Sequence, residues 1–210
     1  MQKLAYLIAG LVLGAAATYG LWVGKPDLAD DSSITAFDPS MYLPDGTWAD
    51  LDGDCQNTRT EVLLALGLDV KLDEKGCTVV GGSWRDAFTG EPLQDPEKVA
   101  IVRIVPLTAA HNSGAWAWNP ARKLAFANSF ERATAMSMRP RAPLTSNLVT
   151  VSRATEKEKG DNSIINWVPH DKPGITCTYT ENWTIVKAKW GLSTSKAERD
   201  KISQILSVCP

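Results

Sequence analysis

The sequence predicts an α+β domain, and three observations carry that expectation. Apolar runs of strand length, at residues 77–84, 99–105 and 147–152, sit among segments with helix-capping chemistry and do not alternate with them as βαβ units would. The 210 residues are 44% hydrophobic and 22% charged, with a formal net charge of −2; this composition excludes wholesale disorder, collagen and a coiled-coil rod. No internal repeat is visible, which argues against solenoids and propellers. A chain of this length holds one domain and a short extra segment, and it buries enough surface to fold without a metal.

The extra segment comes first. Residues 4–24 carry no charge and lie between Lys3 and Lys25, long enough to cross a bilayer as a helix. Ala15 and Ala17 also suit a cleavage site, so residues 1–25 read as either a signal anchor or a signal peptide. The apolar run through Tyr19, Leu21, Trp22 and Val23 favours the anchor, with Trp22 and Lys25 at the membrane–water interface. Residues 26–41 are polar and read as a linker, and the folded domain is expected over 42–210.

Within that domain, Asn57 or Thr58 caps a helix and Glu61 completes a capping box ahead of Val62, Leu63, Leu64 and Leu66. A strand over 77–84 is followed by a turn at 88–92, where Thr89, Gly90 and Pro92 cluster. The run 99–105, apolar except for Arg103, reads as a buried strand that Pro106 ends. A short helix follows through His111. Asn119-Pro120 then has cap and first-turn chemistry for another through Asn128. After the alternating strand 147–152, helices at 180–190 and 195–208 close the chain; Gly191 stops the first, and Ser195 with Glu198 caps the second.

Cys55 and Cys77, and Cys177 and Cys209, are expected to pair as nearest neighbours among three possible connectivities. No Cys/His spacing suggests zinc, so the cysteines read as structural disulfides of an exported protein. The charge is unevenly spread. Residues 27–100 hold 16 acidic and 5 basic side chains, and residues 101–210 hold 8 acidic and 15 basic ones. A basic half suits a polyanion, although a fold that joins the halves neutralises both.

A series of short segments, taken in order, carries a resemblance. They include Gly46-Thr47-Trp48, Asp52-Gly53-Asp54-Cys55-Gln56-Asn57-Thr58-Arg59-Thr60-Glu61, Gly82-Ser83-Trp84-Arg85-Asp86 and Ile104-Val105-Pro106-Leu107. Ala110-His111-Asn112-Ser113-Gly114, Phe126-Ala127-Asn128, Asn147-Leu148, Lys159-Gly160-Asp161, Trp167-Val168-Pro169 and Cys177-Thr178-Tyr179 follow. Together they resemble the exported HNH endonucleases related to the C-terminal domain of GmrSD restriction enzymes. The resemblance implies a ββα-metal (HNH/His-Me finger) core with additional helices. It also implies a site in which an Asp-His pair just before Ile-Val-Pro-Leu supplies a metal ligand and the general base. A later amide orients the site, and a second Asn completes the metal shell. Such a site suits phosphodiester hydrolysis, which needs a hard cation on the phosphate and a base beside the attacking water.

This chain departs from that pattern. Val102 and Arg103 occupy the Asp-His positions, and Glu156 replaces the later Asn, while Asn147 and Lys159-Gly160-Asp161 are kept. Valine cannot ligate a metal, and an arginine stays protonated and cannot act as a base. The expected protein is therefore a nuclease-like binder of DNA, RNA or a protein partner, with Arg103, Arg132, Arg139, Arg141, Lys157 and Lys159 as phosphate contacts. The alternative is an active endonuclease in which Glu156 and Asp161 hold magnesium, manganese or zinc and His111 substitutes as base. No cofactor is expected on the first reading. Arg59 and Arg85 are expected to pair with nearby aspartates, and Trp116 and Trp118, beside Arg122 and Lys123, read as core residues with stacking on bases as the alternative. Asp50, Asp52 and Asp54 suggest a calcium loop, but an EF-hand needs Gly where Cys55 stands, so a turn and helix cap is the reading preferred.

Overall fold

Two small antiparallel sheets and six α-helices make up the described fold, in agreement with the α+β expectation. The computed structural model describes residues 35–130, 146–170 and 172–209. The segment 1–25, most of the linker, and Arg132, Arg139 and Arg141 lie outside the described residues. Among the described residues no helix is long and apolar enough to cross a membrane.

In chain order the helices are α1 (Thr58–Leu66), α2 (Leu107–Asn112), α3 (Pro120–Ala127), α4 (Arg153–Lys159), α5 (Pro173–Trp190) and α6 (Lys196–Leu206). The strands are β1 (Leu68–Leu72), β2 (Val79–Arg85), β3 (Pro92–Leu93), β4 (Val99–Arg103) and β5 (Leu148–Ser152). One sheet has the order β1-β2-β3 and the other is the pair β4-β5. The predicted disulfides, Cys55–Cys77 and Cys177–Cys209, are both formed.

Local chemistry explains most boundaries. The Asn57 side chain accepts a hydrogen bond from the Thr60 amide at the start of α1, and Ser195 and Glu198 form a reciprocal capping box on α6. Asn119 caps α3, with Pro120 in its first turn. Gly191, at φ +65°, gives α5 its left-handed stop. Asp50 accepts from the amides of Gly53 and Cys55, and Asp54 accepts from that of Gln56, so these carboxylates shape the turn before α1. Helix α5 begins at Pro173, well before the expected residue 180, because the Pro173-Gly174 pair that disguises its start sits in the first turn, where neither disrupts a helix. Packing also begins ahead of Met41: Phe37 lies against the main core and Asp38 caps a 3-10 turn over Pro39–Met41.

The packing of β4 explains why the run after Lys98 is apolar up to Arg103. Its even-numbered side belongs to the main core, where Ala100, Ile104, Val149 and Val151 meet Phe88, Phe126, Tyr179 and Trp183. Its odd-numbered side, Val99 and Ile101, joins Leu148 and packs under Val62 and Leu63 of α1 and Trp84 of β2. A strand covered on both faces has no side available for polar residues. Arg103 continues the odd-numbered side past the end of this second core, and so it is a cation at the edge of an apolar layer.

Candidate functional site

Strands β4 and β5 pair in unbroken register from Val99↔Ser152 to Arg103↔Leu148, and α4 starts at the next residue after β5. Ser152 caps α4 through the Thr155 amide, which turns the chain back along β4. A depression of about 220 Å³ lies between them, lined by Val102, Arg103, Glu156, Lys159 and Asp161 among others. A second cavity of about 290 Å³ shares Ile101, Arg103 and Glu156 with it and adds Trp48, Arg59 and Arg153. The two cavities adjoin at Arg103 and Glu156.

Arg103 is fixed rather than loose. Its Nε and Nη2 both donate to the Ala127 carbonyl at the end of α3, at 2.9 and 2.7 Å. The guanidinium carbon lies 4.6 Å from the centre of the Trp48 ring. Desolvation pulls the group down to about 10, opposed by the nearby Asp161 carboxylate, so it still carries its charge at neutral pH. Arg103 forms no pair with Glu156, which is held by Arg153 at 3.0 Å.

Lys159 is the buried cation of the cleft. It is 1% exposed, four residues after the buried Thr155 on the same helix face. Among the described residues its ammonium has no hydrogen-bond or ion-pair partner, and it lies 5.9 Å from the centre of the Trp167 ring. Desolvation lowers it to about 8; Asp161 opposes that shift and Arg103 adds to it.

The remaining expected residues have other tasks. Asn147 is fully buried: its side chain accepts from the Val105 amide at 2.8 Å and donates to the Val105 carbonyl at 3.1 Å, so it pins the chain after β4 and is not presented to the cleft. Lys157 is exposed on α4 and does not line the cleft. Arg59 and Arg85 donate to carbonyls, Arg59 to those of Pro96 and Val99 and Arg85 to that of Gly90, where pairing with aspartates was expected. Trp118 packs edge-on against Phe126 and tilts over Trp190, with Arg122 across its face, so its ring serves the core and not a base.

No family profile matches the chain, and no solved structure matches it. It is similar to a protein of Arthroderma benhamiae described as an uncharacterized secreted protein. The two are 30% identical over 162 residues, which cover 77% of this chain and 72% of the relative. The chain belongs to that protein's family. In this member of the family, two closed disulfides fit folding in an oxidising compartment, and the described cysteines leave no free thiol.

Two expectations are corrected by packing in this family member. His111 is fully buried, and its Nε2 lies 2.6 Å from the Thr35 carbonyl, which can only accept; Nε2 therefore carries the proton, and Nδ1 accepts from the Tyr42 hydroxyl at 3.0 Å. Both nitrogens are spent and the ring has no access to water, so it is no substitute base. Glu156 and Asp161 join no third ligand side chain close enough to hold an ion among the described residues, and a guanidinium sits beside them. The donors at this end of β4 do not fit a divalent cation. Sequence reasoning missed Trp48 and the Ala127 carbonyl as the groups that hold Arg103. Both are distant in the chain, and a backbone acceptor leaves no mark in a side-chain pattern.

Proposed function

We propose that this protein is an exported member of the ββα-metal, HNH-type group that binds phosphate groups of nucleic acid and does not hydrolyse them. The arrangement of β4, β5 and α4 supports the fold assignment, as does Asn147 bracing the loop after β4. The observation that carries the functional reading is Arg103, a permanently charged group clamped between Trp48 and the Ala127 carbonyl where such a nuclease needs a base. Loss of general base assistance alone is typically worth about 10²–10⁴ in rate, and Val102 removes a ligand as well. The two disulfides and the name of the secreted relative support export.

The test is direct. Purified protein is incubated with plasmid DNA and with RNA in magnesium, manganese or zinc, and both stay intact while gel shift shows binding that weakens steeply as salt rises. Sustained cutting that EDTA abolishes would establish an active endonuclease instead. The double change Val102→Asp with Arg103→His is expected to introduce metal affinity, measured by calorimetry; no gain would argue against this placement of the site.

A further inference from the structure

We propose that the depression between β4 and α4 takes a phosphomonoester dianion, a terminal rather than an internal phosphate, with Lys159 Nζ at its base and Arg103 at its side. The proposal rests on the reading of this cleft as a phosphate-binding site and names which phosphate it takes.

Three features of the cleft support it. The first is an unmet cation. Lys159 is 1% exposed and lines the depression, yet among the described residues no oxygen accepts from its ammonium. The other buried charges among the described residues are met: Lys187 has Glu198 and Ser113, and Asp86 accepts four hydrogen bonds. A nearly buried ammonium without an acceptor is costly to keep, and an oxyanion supplies that acceptor and adds to the countercharge of Asp161. Beside it, Arg103 uses only Nε and Nη2 on the Ala127 carbonyl, which leaves Nη1 without an acceptor among the described residues. The stacked Trp48 holds that fork in place before any ligand arrives.

The second feature is charge. The depression is lined by Arg103 and Lys159 against Glu156 and Asp161, and Arg59 and Arg153 of the adjoining cavity add two positive charges beside it. A phosphomonoester carries about two negative charges near neutral pH, whereas an internal diester carries one.

The third is access. The depression holds about 220 Å³, below the ~300–1,000 Å³ typical of pockets that enclose a drug-sized molecule, so it admits a phosphate but not the attached nucleoside. An ammonium this deep is reached end-on by a projecting group. An internal diester would have to fit both of its ester arms into that space.

The experiment compares ligands on the purified protein at about pH 7.5, where a phosphomonoester is largely dianionic. Thermal unfolding is followed in inorganic phosphate, in dimethyl phosphate and in chloride at matched ionic strength. Binding of 5′-phosphorylated and 5′-hydroxyl oligonucleotides of one sequence is followed by fluorescence anisotropy. Phosphate is expected to raise Tm where dimethyl phosphate does not, and the phosphorylated strand to bind about tenfold more tightly. Lys159→Met is expected to fold with an unchanged or higher Tm in chloride and to lose both preferences. Phosphate stabilisation that Lys159→Met abolishes, without binding of either strand, supports this pocket and counts against nucleic acid as the partner. Equal binding of the two strands with no Tm response to phosphate overturns the proposal and leaves nucleic-acid binding standing. The wild-type comparison decides the matter even where the variant does not fold.

Discussion

Two lysines of this protein are buried to nearly the same depth and meet opposite surroundings. Lys187 on α5 is 2% exposed and Lys159 on α4 is 1% exposed, and each ammonium lies 5.9 Å from the centre of a tryptophan ring. Lys187 donates to Glu198 at 2.7 Å and to Ser113 at 2.9 Å, which ties α5 to α6 and to the end of α2. Lys159 has neither a carboxylate nor a hydroxyl within hydrogen-bond reach among the described residues, and Asp161 acts on it only from a longer distance. Burial alone therefore does not separate scaffold from site; what separates them is whether the buried charge is already satisfied. A paired charge holds the fold together. An unpaired one stores a cost that a ligand can relieve.

The largest effect that sharpens this contrast is expected from Lys187→Met. It leaves Glu198 buried without its countercharge and should cost about 3–5 kcal/mol in urea unfolding. Adding Glu198→Leu to that variant should recover much of the loss, because the pair together is worth less than either half stranded. Equal destabilisation by the single and double variants would mean that packing, not the pair, is what Lys187 supplies.

A somewhat smaller effect is expected at a third buried charge, Asp86, which is 1% exposed. Its Oδ1 accepts from the amides of Phe88 and Thr89, and its Oδ2 accepts from the Ser152 amide and the Thr155 hydroxyl. Desolvation alone would raise this carboxyl, but the bonds from Thr155, Ser152, Phe88 and Thr89 outweigh it and hold the group below 3.8. A depressed acid contributes stability above its unfolded value, and that contribution is lost as pH falls through the folded one. Asp86→Asn, with one acceptor oxygen where two are needed, should cost about 3 kcal/mol at neutral pH. The gap between wild type and variant should narrow in acid below 3.8, followed by denaturant midpoints across pH.

The smallest effect, and the one of opposite sign, belongs to Lys159→Met. Removing an unsatisfied buried ammonium should leave stability unchanged or raise it by about 1 kcal/mol. A loss comparable to that of Lys187→Met would show that Lys159 is structural and would erase the distinction between the two lysines.

Much of the fold was legible because its signals are local. The Asn57, Asn119 and Ser195 caps, the Gly191 stop and the apolar run of β4 are short-range chemistry, and both cysteine pairs followed from spacing; Pro106 does not end β4, which stops earlier, at Arg103. Two elements that gave no such signal went unread. Strand β1 is mostly exposed and carries Asp69 and Lys71, and α4 reads Arg-Ala-Thr-Glu-Lys-Glu-Lys with no apolar stripe, its burial resting on Thr155 and Lys159. In α4 a helix buries a lysine against the usual preference of the residue type, which no periodicity of apolar residues can announce. The site was half legible. Val102 and Arg103 stood out within the apolar run, but nothing in the chain order said that Trp48 and the Ala127 carbonyl would lock Arg103, or that Tyr42 and Thr35 would consume both nitrogens of His111.

The sequence by itself determined the α+β class, the two disulfides and the buried strand that carries Arg103, since each depends on residues close together or on cysteine spacing. Only the tertiary structure decided which charges are answered. Lys159 and Lys187 are the same residue type on two helices, and their difference comes from what the rest of the chain brings within about 3 Å, the reach of a hydrogen bond.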